Sequence, residues 1–543
     1  MPILVRNILL GLDEPEERLA ELLAKRLRLP AKAIRHYAVV RRSIDARKKD
    51  IRFSYQVEVA IEGTRRAERA QWKRIQSQDI TWLEPTKTPA PCFGEETMPE
   101  RPIIIGFGPG GMFAALRLAQ LGYKPLVLER GREVRRRHRD IMQRFYRERD
   151  FDPTSNLLFG EGGAGTYSDG KLYTRINDPL CRWVLEAFYH HGARPDILVD
   201  ARPHIGSNRL PTICTRIRRK IESLGGEIRF ESRVEDVRIE EDVKSGPDRR
   251  LVALKINDEW IPAGPTLLAI GHSARDTIRM LHERGVRIEP KPFQLGVRIE
   301  HPQVMVDRWQ YGTAAGHRKL APAEYHMVAK GAGDEHGDVF SFCMCPGGTI
   351  LPTNESPGLV VTNGASRSGR SSSFANSGFV ITLDPSALGL SALEGLDYQA
   401  RWEKLAFECT QGTYAVPAQR ASDFLAGKRS SGTLAVSCPL GGKWESIRTI
   451  IPEMVAKAIE RALPMLNAKF PGFSGDESII TGPETRASGP LRIVRDVETR
   501  LARGVDLLYP VGEGAGYAGG IISAAVDGIK SADAIIGRYA PVR

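Results

Sequence analysis

Three glycine-rich stretches stand out among the residues that can do chemistry. The first is RPIIIGFGPGGMFAALRLAQLGYKPLVLERG, from Arg101 to Gly131. Gly106, Gly108 and Gly111 spell GxGxxG, with Pro109, Gly110 and Met112 filling out the turn. Such a turn needs one glycine to bend sharply and one to let backbone approach a pyrophosphate. It needs a third to seat a helix against a strand. The N–H groups that open the helix then offer about half a positive charge to phosphates. Glu129 closes the next aliphatic run and can accept hydrogen bonds from ribose hydroxyls. An acid at this place disfavours a 2′-phosphate, so NADP does not suit the pocket. Arg130 follows directly, and the run REVRRRHRD reads as a solvated helical face, with balancing of phosphate charge as the alternative.

The second stretch, FGEGGAGTYSDGKL (159–172), puts Gly163, Ala164, Gly165 and Thr166 in a loop whose backbone can pass very near a ligand. Lys171 ends it and is the one candidate catalytic residue; a surface position or a salt bridge is the plainer reading. The third begins at Val505, VDLLYPVGEGAGYAGGIISAAVDGIKSADAI. It sets Gly512 and Glu513 after a strand, and a helix start at Gly520 and Ile521 against a planar or anionic group.

The elements that must position these residues are legible. PIIIGF is a short β-branched run, hence a buried parallel strand. GMFAALRLAQLG has helical periodicity, and PLVLER is a second strand. This βαβ unit alone would serve NAD or FAD. An NAD domain needs no further glycine-rich contacts far along the chain, and here there are two. FAD is therefore the expected cofactor, with Glu513 holding hydroxyls of its ribityl chain or steering phosphate.

On these motifs the chain resembles the FAD-binding flavoproteins of the glutathione-reductase-like FAD/NAD(P)-binding superfamily. Their last motif often carries Asp where Glu513 stands. The resemblance implies that backbone near Val234 meets the adenine, and that the turn ending at Gly271, just before His272, lies near the nucleotide. More narrowly, the chain is similar to a family of bacterial FAD-dependent dehydrogenases. The phrases that carry this are PFQLGVRIEHPQ, FCMCPGGTI, VTNGASRSGRSSSFANSGFVITL and TGPETRASGPLRI. It implies redox work and names no substrate.

The expected architecture is α/β: a Rossmann-like, three-layer FAD-binding domain with a parallel sheet, an inserted and mainly antiparallel substrate domain, and a small N-terminal α+β domain of ferredoxin-like type. The boundaries read as 1–90, a proline-rich linker at 91–100, 101–280, 281–480 and 481–543. The first 90 residues hold 19 basic and 12 acidic side chains, more than half of the net charge of +12. A nucleic-acid role for that domain is one alternative. The acids alternating with its bases, and the lack of an aromatic stacking pattern, argue against it.

In the inserted half, Cys343 and Cys345 share one face of a strand, at a spacing that does not suit an easy disulfide. Burial is the plain reading, thiol chemistry the sharper one, and metal binding the least favoured; no metal site is expected. Arg367, Arg370 and Arg486 lie in serine- or glycine-rich loops and can clamp an acidic substrate, or simply order those loops. No CxxC and no second GxGxxG after a strand occur, so NAD(P)H is expected to visit only transiently, if at all. The expected function is hydride transfer between flavin and a small organic substrate, with an unspecified electron donor or acceptor. A flavin monooxygenase is the alternative of the same class. The seven scattered cysteines, the lack of a signal-peptide pattern and the lack of a membrane-length apolar run point to the cytoplasm.

Overall fold

A computed structural model describes residues 2–48, 50–75, 77–84, 92–241 and 249–541. The N-terminal unit runs β1 (Ile3–Gly11), α1 (Arg18–Leu27), β2 (Ile34–Asp45), β3 (Arg52–Ile61), α2 (Arg65–Arg74) and β4 (Ile80–Trp82). Its sheet order is β2-β3-β1-β4, with every neighbour antiparallel. That βαββαβ order is the ferredoxin-like arrangement. Leu19, Leu23 and Leu27 recur every fourth residue of α1 and are buried, so the helix turns one apolar stripe to the sheet. Helix α2 is an addition to the sequence reading. Its stretch RRAERAQWKR is almost wholly polar, and Trp72 is its one large apolar contact with the core. Thr64 caps it by accepting from Ala67 N–H, and Glu68 turns inward to accept from Ile61 N–H at 3.1 Å.

The exposed edge of β2 is covered by the next domain. Arg42 N–H donates to Val199 O, and Arg42 O accepts from Ala201 N–H. The Arg42 guanidinium reaches Asp200 at 2.9 Å. At Arg42 the edge is closed to pairing with another chain. The described part of the linker is held too: Gly94 N–H donates to Ile536 O and Glu96 O accepts from Ala540 N–H. Residues 85–91, including the linker's first residue, lie outside the described ones.

The nucleotide domain is built on five parallel strands, in the order Leu508–Pro510, Thr266–Leu268, β5 (Ile103–Ile105), β6 (Leu126–Leu128) and β7 (Glu227–Arg229). From β5 the chain goes to β6 on one side and returns to Thr266–Leu268 on the other. The switch of direction opens a crevice at the strands' carboxyl ends, where nucleotides bind in such folds. Helix α3 (Pro109–Gln120) and the final helix Ile521–Arg538 lie side by side over this sheet. Gly110 and Gly528 permit it, since a Cβ on Gly528 would overlap Gly110 O. A three-stranded antiparallel meander (Val234–Glu241, Arg249–Ile256, Glu259–Pro262) sits beside the parallel sheet.

The inserted domain is a seven-stranded, mainly antiparallel sheet. Phe293–Pro302 and Phe374–Leu383 pair along their whole lengths at its centre. It has its own apolar core, with helix Glu453–Asn467 on one face. The boundary read at 280 falls inside helix Arg275–Glu283, and that at 480 inside strand Ile479–Glu484. Composition does not change where an element crosses from one core to the next. The stretch EYHMVAK (324–330) pairs with the sheet only through Val328–Ala329. GLVVTNG pairs only from Thr362 onward.

Candidate functional site

The glycine turn after β5 is shaped by close backbone contacts. Gly106 has φ +96°, and a Cβ there would overlap Ala269 O; one on Gly111 would overlap Gly106 O. A Cβ on Gly110 would lie 3.1 Å from Val511 Cγ1, and Met112 is buried. Gly108 differs: its backbone is extended, and the nearest atom to an added Cβ is Gly163 Cα at 3.9 Å. It borders open space, where a ligand can approach. Neither α3 nor Ile521–Arg538 has a side-chain N-cap. Two helices of 12 and 18 residues thus present uncapped N-termini at one junction.

The second glycine loop folds onto that turn. A Cβ on Gly163 would lie 2.8 Å from Gly108 Cα. One on Gly165 would lie 3.2 Å from Pro109 Cγ and 3.7 Å from Ile521 Cγ1. All three glycine stretches therefore meet at one place. Ala164 and Gly520 are exposed there, while Thr166 is buried and donates to Glu161 O at 2.7 Å. Glu129 is buried. Its Oε2 accepts from Phe107 N–H at 2.8 Å, and its Oε1 accepts from Gly131 and Gly160 N–H at 2.9 Å. A carboxylate offers about four lone pairs, so Oε2 keeps one for a hydroxyl. It opens into a cavity lined by Gly106, Glu129, Arg130, Phe159, Val234 and Ile270. The Arg130 guanidinium stacks 4.4 Å from the Phe159 ring centre and is anchored by Asp276 and Thr277.

The solvated reading of REVRRRHRD holds for Arg135 and Arg136 and fails for Arg137. Arg137 is fully buried, and its guanidinium donates to the carbonyls of Asn156, Glu161 and Gly163 at 2.7–2.9 Å. One side chain thus pins the loop that carries the second glycine stretch. A run of arginines gives no sign of which one turns inward.

At the third stretch, Gly512 N–H donates to Asp527, which also holds Arg495 and Arg500. Glu513 is half-buried, 3.5 Å from His272 Nδ1. A Cβ on Gly514 would overlap Gly271 O, so Gly271 and the Glu513 loop are in contact. The buried His272 Nε2 has no partner.

Lys171 sits where the second loop meets the inserted sheet. Its Nζ is 3.3 Å from Asp169 Oδ2, 3.6 Å from Cys345 Sγ and 3.8 Å from Cys343 Sγ. Burial works against its charge, but Asp169 and the two sulfurs outweigh it, and the lysine pKa is raised. Burial likewise favours the acid form of Asp169, and the charges of Lys171 and Arg370 overcome it and lower its pKa. Arg370 is buried, and its Nε and Nη2 have no hydrogen-bond partner. His204 Nε2 is also buried and unpartnered, and burial with the Arg370 charge holds that imidazole neutral.

The other two arginines stand apart. Arg367 is exposed on the turn. Arg486 is spent inside a buried network: it pairs with Glu355 and Glu403, which also hold Arg275. Its Nη1 and Nη2 are occupied by Ser273, Glu355 and Glu403 and only Nε lacks a partner, so it braces the loop and has no free two-pronged fork for a substrate. Burial works against the Glu403 charge, and Arg275 and Arg486 overcome it, lowering its pKa to about 2. Unfolded, the group titrates near ~4.3. A carboxyl depressed on folding stabilises the protein above its unfolded value and loses that contribution as pH falls through the folded one. The urea midpoint is expected to fall as pH drops from about 5 toward about 2. In Glu403→Gln that acid-side slope should flatten, from a lower starting stability because two arginines lose their counter-charge.

A cradle that adds uncapped helix starts, a glycine bordering open space and a spare carboxylate lone pair suits a diphosphate joined to a ribose. Comparison with known proteins agrees. A family described as "FAD-dependent protein, C-terminal domain-like" matches residues 292–487, and a domain of unknown function matches 2–60. The cofactor is FAD, and the chain is a flavoprotein. The chain belongs to the same family as an uncharacterized protein of Clostridium beijerinckii, 38% identical over 543 residues, 99% of each chain. Among solved structures it is similar to glycine oxidase from Geobacillus kaustophilus (12% identity, 82% of this chain, 98% of that one, TM-score 0.35). It is also similar to CtdE in complex with FAD (11% identity, 81% and 84%, TM-score 0.31). No helix among the described residues is long and apolar enough to cross a membrane.

Proposed function

We propose that the protein is an FAD-dependent oxidoreductase acting on a small organic acid, with Lys171 and Arg370 as the groups that receive the substrate's anionic end. When bound, FAD supplies the hydride acceptor or donor. Gly108 and the uncapped starts of α3 and Ile521–Arg538 would hold its diphosphate, and Glu129 its ribose. Glu513 would face the polar middle of the molecule. The inserted sheet and the Phe159–Leu172 loop would shield the reacting face from water.

The observation that carries the substrate reading is the Arg370 guanidinium, buried with two unpaired nitrogens beside Asp169 and Lys171. A buried cation with unmet donors is costly unless something acidic meets it. Anaerobic reduction of the purified yellow protein tests the reading, first with NADH and NADPH and then with a panel of metabolites. Carboxylate-bearing donors are expected to bleach the visible flavin band. Arg370→Met should raise their KM about 100-fold with the flavin spectrum unchanged. Equal bleaching by neutral donors, indifferent to Arg370, would remove it. Oxygen insertion with NAD(P)H consumption would make the enzyme a monooxygenase instead.

A further inference from the structure

The strand Val339–Cys345 is not regular. Phe342 pairs with Gly378 and Cys345 with Asn376, so one extra residue bulges from the edge of the pairing. Cys343 lies in the bulge with φ +44°, a left-handed conformation that side chains rarely adopt. Bulges re-aim side chains, and here both sulfurs end within 3.8 Å of a single ammonium, Lys171 Nζ. Cys343 remains partly exposed, whereas Cys345 is buried. The Cys345 S–H donates to the Cys343 carbonyl at 3.3 Å. Both sulfurs thus approach one ammonium, and of the two residues Cys343 is the one partly exposed.

We propose that Cys343 and Cys345 form a dithiol that exchanges with small disulfides, Cys343 as the attacking thiolate and Cys345 as the resolving thiol. The groups facing Cys343 fit those roles. Lys171, Asp169 and Tyr173 approach from the glycine loop, and Arg298 and Glu484 from the sheet beneath. The adjacent Cys345 side chain lowers the Cys343 pKa, and the Lys171 and Arg298 charges add to it against burial. The Cys345 pKa is raised by the adjacent Cys343 side chain and by burial. Thiolate, not thiol, is the nucleophile.

The Cys343 thiolate attacks one sulfur of RS–SR, forming a protein–SR mixed disulfide and releasing RS⁻. Cys345 gives up its proton to the released thiolate and attacks Cys343 Sγ, displacing the second RS⁻. One dithiol is oxidised, one disulfide is reduced, and the products are one RSH and one RS⁻. The site shares Lys171 with the substrate reading above, but its readout is thiol chemistry and needs no substrate.

The test is stopped-flow reaction of the holoprotein with 4,4′-dithiodipyridine at pH 6, followed by peptide mass mapping. Two equivalents of thiopyridone are expected in a fast phase, with the peptide bearing both cysteines lighter by two hydrogens. Cys345→Ser should release one equivalent and keep a mixed disulfide on Cys343. Cys343→Ser should lose the fast phase. Lys171→Met should slow it at least about 10-fold at pH 6 and move its pH profile upward. A fast phase that survives Cys343→Ser, or a Cys343 that reacts at pH 6 no faster than exposed Cys92, would overturn the proposal. So would a persistent mixed disulfide in the parent protein.

Discussion

Gly108→Ala is expected to unfold at the parent's temperature and to hold FAD at least about 100-fold more weakly, a loss of about 2.7 kcal/mol. The two halves of that result have separate causes. The backbone at Gly108 is extended, and an added methyl meets nothing nearer than Gly163 Cα at 3.9 Å. The apoprotein therefore has no reason to be strained, and its stability should stay within about 0.5 kcal/mol. The ligand has every reason to notice, because in this type of turn the second glycine clears the path for the pyrophosphate. Gly111→Ala is the contrast. Its methyl would collide with Gly106 O, so the fold itself should lose stability along with FAD. Thermal unfolding of the apoproteins and fluorescence titration with FAD separate the two. Unchanged FAD affinity in Gly108→Ala would show that the diphosphate does not lie against this turn.

What the sequence makes legible follows from how local each constraint is. Gly106, Gly108, Gly111 and Glu129 are set by one βαβ unit, where spacing fixes geometry, and all four stand at the crevice. The meeting of Gly163–Gly165 with Gly108 and Ile521 joins segments hundreds of residues apart. It is legible only because each stretch is itself glycine-rich. Arg486 shows the limit: a loop arginine beside glycines reads equally as a clamp or a brace. Only the positions of Glu355 and Glu403, distant in the chain, make it a brace. Helix α2 was hidden for another reason. A helix that docks through Trp72 lacks the apolar period that betrays α1. Cys343 and Cys345 share a face in any strand; the bulge that sets both against Lys171 has no mark in the residue pattern.

Arg137→Ala is expected to cost about 3–5 kcal/mol of stability and, in whatever folds, to weaken FAD binding more than Arg130→Ala does. Arg137 is fully buried, and burial lowers its pKa against the pull of Tyr167 and Glu129. The fold tolerates this because three carbonyls, of Asn156, Glu161 and Gly163, accept its hydrogen bonds. Truncation leaves the Asn156 carbonyl without its donor, at about 1–3 kcal/mol before relaxation, takes one of two donors from Glu161 O and Gly163 O, which keep Thr166, and opens a cavity under the loop. Gly163 is the residue that abuts Gly108, so slack in its carbonyl becomes slack in the wall of the cofactor site. Arg130 differs because its guanidinium is held at the rim by Asp276 and Thr277, and its loss removes a wall of the cavity without freeing the loop. Arg137→Lys discriminates further. It keeps the charge but not the planar fork that reaches three acceptors, so it should recover less than half of the lost stability. Urea unfolding with and without saturating FAD reads both effects. If Arg137→Lys matched the parent in both, the charge rather than the three-way hydrogen bonding would be what holds the loop.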